Sequence, residues 1–151
     1  MSMQFAGPRA FARHMLSTGF PMVPFLGMRT EPAGHPGGRA MEGVLYRNGQ
    51  WQIELVVLPP DCQVPRHRHL RFASADLALG GSGLVIVGER VVISPEVHAQ
   101  QRGRAISNLI RIERGEWHEG SSGSSGGIYL SFQQWSGPPS FIAEDWEACH
   151  E

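Results

Sequence analysis

Asn48-Gly49 sits between two β-prone runs, Gly43-Val44-Leu45-Tyr46-Arg47 and Gln50-Trp51-Gln52-Ile53-Glu54-Leu55-Val56-Val57-Leu58, and is the strongest local constraint in the chain. Asparagine and glycine both tolerate positive φ, so the sequence predicts a hairpin closed by a two-residue type I′ turn. Closure there pairs Tyr46 with Trp51 and Val44 with Ile53, apolar contacts across the strands.

The same rhythm of short runs and breaks continues downstream. Pro59-Pro60-Asp61-Cys62 ends the second run, and the chain re-enters at Val64. Asp76-Leu77-Ala78-Leu79 stops at Gly80-Gly81-Ser82-Gly83, and Leu84–Val87 with Arg90–Ile93 reads as a second hairpin across Gly88-Glu89. Residues 94–103 are polar and loop-like, Ile106–Ile112 resumes strand character, and Arg114–His118 turns. A Gly/Ser tract over 120–127 then leads into Ile128–Trp135. About eight short strands with one helix predict an antiparallel sandwich or barrel.

That helix is Pro8–Leu16, with proline in its first turn, Phe11 and Met15 as i,i+4 neighbours and Gly19 as a stop. His14 falls on its surface side. Between Gly19 and Arg39, prolines at 21, 24, 32 and 36 and five glycines forbid a long regular element. The segment reads as an arm pinned by Met22, Val23, Phe25, Leu26 and Met28, on its own barrel or on a neighbouring subunit, with His35 exposed.

The chain has 151 residues, enough for one domain with a core that needs no staple, so a metal would be functional rather than structural. Thirteen basic against fourteen acidic residues give a net charge of -1, which argues against a nucleic-acid partner. All the basic residues are arginine. Cys62 and Cys149 lack the spacing or density of a disulfide scaffold. No apolar run approaches the roughly 20 residues that span a bilayer, and no leader pattern opens the sequence. A soluble protein is expected, cytoplasmic or carried within an assembly such as a virion.

Val64-Pro65-Arg66-His67-Arg68-His69 carries the chemistry. On a strand, the two-residue period puts His67 and His69 on one face, where two neutral imidazoles suit a divalent transition metal. An exposed basic strand end is the alternative reading of that pair in isolation.

His67-x-His69, an acidic residue, six residues and Gly83, followed by Gly115-x-x-His118, resembles the two motifs of the cupin superfamily, G-x5-H-x-H-x3,4-E-x6-G and G-x5-P-x-G-x2-H-x3-N. The resemblance covers about residues 43–135. It implies an all-β, antiparallel double-stranded β-helix, the jelly-roll or cupin barrel. It also implies His118 as a third imidazole ligand and Asp76 as the carboxylate ligand, of Fe, Mn, Ni or Zn. Several positions depart from the pattern. Asp61 stands where the first glycine would be, six residues separate His69 from Asp76, and aspartate replaces glutamate. In the second motif Glu113 stands in place of proline, while Ser107 and Ser122 replace the outer glycine and asparagine. With His67-Arg68-His69, Trp117-His118 and Gln134-Trp135, the chain is similar to small single-domain cupins of bacteria and phages.

Three parts follow: residues 1–42 as helix and arm, 43–136 as the cupin barrel and 137–151 as a C-terminal tail. The expected function is a metal-binding cupin acting as a dioxygenase, isomerase or lyase on a small molecule. The alternative is a structural or ligand-binding cupin, for example a phage assembly component. Self-association into a homodimer or higher oligomer is expected. A small polar or anionic ligand is also considered, since Arg66, Arg68, Arg71 and Arg111 fall near the expected mouth, although scattered surface arginines are the more frequent explanation. His98 and His150 read as surface residues, and Trp117 as a core or rim aromatic. One of Gln133 and Gln134 points inward, and the Gly/Ser tract reads as a flexible loop near the pocket mouth.

Overall fold

The computed structural model describes residues 4–18, 29–30, 40–81, 85–87, 92–93 and 109–149. His35, Gly83, His98, His150, the arm's apolar anchors from Met22 to Met28, the Gly88-Glu89 turn and residues 94–103 lie outside them. Helix α1 (Pro8–Thr18) precedes strands β1 (Arg29–Thr30), β2 (Met41–Asn48), β3 (Trp51–Leu58), β4 (Gln63–Arg68), β5 (Phe72–Gly81), β6 (Val85–Val87) and β7 (Val92–Ile93). β8 (Ile110–Ile112), β9 (His118–Ser121) and β10 (Gly127–Trp135) follow, then a 3-10 turn (Ile142–Glu144) and β11 (Glu147–Ala148). Six strands form one sheet in the order β1-β2-β3-β10-β5-β8, and five form the other in the order β11-β4-β9-β6-β7. Every described strand pair is antiparallel. This is the antiparallel two-sheet architecture expected from the turn rhythm, and it agrees with the double-stranded β-helix that the resemblance implies.

The β2–β3 hairpin forms, one residue out of the expected register. Asn48 pairs with Trp51 and Tyr46 with Ile53, so the turn residues are Gly49 and Gln50. Gly49 has φ 60 and Gln50 is not left-handed, which fits a type II′ turn rather than type I′. Ladder positions step from Val44↔Glu54 to Tyr46↔Ile53, leaving Leu45 as a bulge. The bulge has a packing reason, because it lets both Leu45 and Tyr46 join the same apolar cluster. In the second hairpin Ile86 pairs with Ile93 and Val87 with Val92.

The middle of the six-stranded sheet is buried on both faces. Outward, Ile53, Ala75, Leu77, Leu130 and Phe132 pack under Phe11, Ala12 and Met15 of α1. Ser17 and Thr18 hydroxyls donate to the His14 carbonyl at 3.0 and 2.8 Å, carrying the helix two residues beyond Leu16. Inward, Val56, Leu58, Phe72, Ala78 and Trp135 fill the space toward the second sheet with Ile142 of the 3-10 turn. Gln52, Glu54, Ser74, Asp76, Ser131 and Gln133 share that inner side by strand parity and form a polar band through it. Gln52 Nε2 lies 2.7 Å from Glu54 Oε1, 3.0 Å from Gln133 Oε1 and 2.6 Å from the Ser140 carbonyl. Gln133 Oε1 also accepts from Trp135 Nε1 at 2.8 Å. Gln133 is therefore the inward glutamine of the pair, held in this band.

The 120–127 tract departs from the flexible loop expected of it. Ser122 Oγ donates to the Pro59 carbonyl at 2.5 Å and accepts from Cys62 N at 3.0 Å. Gly126 has φ 73, and a Cβ there would stand 2.4 Å from the Leu58 carbonyl oxygen. The tract is a tight turn docked on the β3–β4 connection.

Candidate metal centre

β4 enters through Asp61, whose φ of 54 makes it the single left-handed non-glycine among the described residues. Aspartate is one of the few residues that tolerates this region, which explains how it stands at the motif's glycine position. His67 of β4 lies directly across the ladder from His118 of β9. His69 follows the last residue of β4, and its carbonyl accepts from Gly115 N at 2.7 Å. Gly115 takes φ 75 in that turn, so the second motif is tied to the first just ahead of His118.

The three imidazoles converge. Each offers one ring nitrogen, and these donor atoms all lie within 4.8 Å of one another. All three residues are buried, at 4–6 % exposure. His67 Nδ1 lies 2.7 Å from the Pro65 carbonyl, His118 Nδ1 3.0 Å from the Glu116 carbonyl, and His69 Nδ1 contacts the Asp145 carbonyl. A carbonyl oxygen can only accept, so each Nδ1 carries the proton and each Nε2 presents a lone pair. Burial is the largest cause pushing all three imidazoles below their ordinary pKa, His69 to about 3. For His67 the neighbouring His118 and His69 add to the effect. Three neutral imidazoles with fixed tautomers form a donor set that fits a divalent transition metal.

Asp76 comes from the opposite sheet. It lines the same pocket, but it is not part of the converging donor group. Ser131, directly across the ladder, and Ser74, two residues along, hydrogen-bond its carboxylate, while Oδ1 has no hydrogen-bond partner. Burial raises the Asp76 pKa to about 7. The pocket offers about 30 Å³ to the centres of water molecules and has apolar walls from Leu58, Val64, Phe72, Tyr129 and Ile142. Among the described residues no arginine lines it. Arg68 pairs with Glu147 at 2.9 Å and lies over Trp117, which is a rim aromatic. Arg71 lies over Trp135, and Arg111 pairs with Glu113 at 2.5 Å.

Sequence reasoning missed the C-terminal contribution. β11 pairs with β4 beside His67, and Cys149 N donates to the Arg66 carbonyl at 3.0 Å. Trp146 stacks on His67 at 3.5 Å and 8° between planes. The Asp145 carboxylate accepts from Leu70 N at 3.3 Å and Arg71 N at 2.7 Å, and its own carbonyl meets His69. Phe72 covers the His69 ring at 4.5 Å. The one available signal was a tryptophan in an acidic segment, which local pattern does not distinguish from a solvated tail.

No family model and no curated protein matches the sequence. Solved structures do match by shape. A cupin-2 domain protein from Rhodospirillum rubrum aligns with TM-score 0.53 and 16% identity, over 95% of this chain and 84% of that one. The polyketide cyclase RemF from Streptomyces resistomycificus aligns with TM-score 0.52 and 19% identity, over 82% of this chain and 87% of that one. KdgF from Halomonas sp. aligns with TM-score 0.50 and 9% identity, over 72% of this chain and 86% of that one.

Proposed function

We propose that this chain, which has the cupin fold, holds a divalent transition metal through His67, His69 and His118 and acts as a small-molecule metalloenzyme of the isomerase, lyase or dioxygenase type. One observation carries the reading. Each Nδ1 is committed to a backbone carbonyl, which leaves each Nε2 with a lone pair, and one ring nitrogen from each of the three buried imidazoles lies within 4.8 Å of the others. Fe, Mn, Ni and Zn all suit imidazole donors.

When bound, the ion supplies Lewis acidity and open coordination positions for a substrate oxygen. This chain's own residues do the remaining work. Trp146 and Phe72 fix the planes of His67 and His69, and the apolar walls exclude bulk water. Among the described residues the lining contains no cationic side chain, and its walls are largely apolar. That one structural neighbour is a polyketide cyclase agrees with catalysis in such a barrel.

Elemental analysis of protein purified without a histidine tag, beside His67→Ala, is the test. Near-stoichiometric metal that disappears in the variant is expected, and equal trace metal in both removes the proposal. The outer surface offers a second reading, self-association. Met41, Leu79 and Ile128 are 41%, 54% and 39% exposed, and Met41 and Ile128 flank Val57 on neighbouring strands. If the metal is absent, an oligomer measured by light scattering would favour an assembly role.

A further inference from the structure

We propose that Asp76 is the pocket's proton acceptor rather than a metal ligand, and that it takes the hydroxyl proton of a neutral phenol- or enol-bearing molecule seated between it and the three imidazoles. The proposal rests on the metal-centre reading and narrows its substrate class.

Four observations carry it. The imidazole donors converge without Asp76, which projects from the facing sheet on a side chain one methylene shorter than glutamate. Asp76 is 5% exposed and lines the pocket, and its Oδ1 has no hydrogen-bond partner. A bare buried acceptor costs about 1–3 kcal/mol, which a ligand donor would remove. Gln133 Nε2 donates to Ser131 Oγ at 3.1 Å, so the Ser131 hydroxyl proton is left for Asp76, and with Ser74 it holds the carboxylate in one orientation. Phe72, Tyr129 and Ile142 supply apolar walls that suit a neutral aromatic or enolic body.

The transfer balances simply. The ligand O–H bond breaks, its electron pair stays on the ligand oxygen, and Asp76 Oδ1 gains the proton to become a neutral carboxylic acid. Burial shifts the Asp76 pKa upward, the direction a proton acceptor needs. Returning the proton to another ligand atom is isomerase or lyase chemistry and needs no oxidant.

The test uses the whole metal-loaded chain and unsubstituted phenol as probe, which keeps its hydroxyl proton in mildly alkaline solution. Calorimetry in two mildly alkaline buffers of different ionisation enthalpy counts the protons released on binding. Wild type is expected to bind the phenol and retain its proton. Asp76→Asn should keep its metal, release the proton to solvent and bind about tenfold more weakly. Asp76→Ser is the second variant should the first misfold. Loss of metal from Asp76→Asn in parallel with His67→Ala, equal proton release from variant and wild type, or no binding of phenol by wild type would each overturn the proposal. If wild type itself holds no metal, the metal-centre reading fails separately, and the affinity ratio between wild type and Asp76→Asn decides the role of Asp76.

Discussion

β5 faces two environments at once. Ala75 and Leu77 point outward into the cluster closed by α1, while Phe72, Ser74 and Asp76 point inward to the pocket. The outer face is apolar and sealed by one amphipathic helix, with Phe11 5.1 Å from Trp51 and 5.9 Å from Phe132 by ring centroid. The inner face mixes apolar walls with buried polar groups whose hydrogen bonds are supplied by specific partners across the ladder. The outer face thus supplies stability with little positional demand. The inner face accepts the cost of buried polar groups to place donor atoms accurately.

Loading one face and reading the other would break or sharpen that contrast. Phe11→Ala removes the centre of the outer cluster and should cost about 3–5 kcal/mol in urea denaturation. Metal content should not change, and joint loss of both would show that the faces are not independent. A change on the inner face should appear as pH dependence instead. The folded pKa of Asp76 lies near 7 and the unfolded value is 3.8, so between these values the folded state binds more protons. Stability therefore falls as pH rises through that window, and Asn at 76 does not titrate. In chelated protein, wild type should lose up to about 4 kcal/mol relative to Asp76→Asn between pH below about 4 and pH above about 7. The histidines contribute alike to both proteins and cancel in the difference. A flat difference would place a compensating group beside Asp76.

Much of this architecture was legible because turn chemistry is local. Asn48-Gly49 announced the β2–β3 hairpin, and the runs to either side gave the antiparallel two-sheet plan. The register was not legible, since it depends on Leu45 and Tyr46 both packing against residues brought in by α1. Alternation in Trp51–Leu55 would send Gln52 and Glu54 to solvent, yet both are fully buried, because the helix claims the apolar face and the barrel interior takes the polar one. At the site, the resemblance to the cupin motifs sufficed to group His118 with His67 and His69. The same resemblance implied Asp76 as a carboxylate ligand; it lines the pocket from the facing sheet without joining the converging donor group. Trp146 and Asp145 were invisible, since nothing in residues 137–151 signals that the chain returns to pair with β4.

The smallest expected effect concerns that returning segment. Trp146 covers the His67 ring face to face, and the Nδ1 contact to the Pro65 carbonyl does not depend on it. Trp146→Ala should therefore leave the tautomer intact but free the ring to rock about its own axis, spreading the Nε2 position. Groups that only orient a ligand typically change metal affinity by 10- to 100-fold. With the Nδ1 hydrogen bond still in place, a loss of about tenfold is expected in competition with a chelating dye. Trp146→Phe keeps a flat face and should recover most of it. That recovery separates positioning of His67 from a general loss of packing, because a merely structural defect would follow side-chain volume, and phenylalanine restores the plane more fully than the volume. Wild-type affinity in both variants would mean that β4 alone holds the ring, and that the C-terminal strand contributes shelter without geometry.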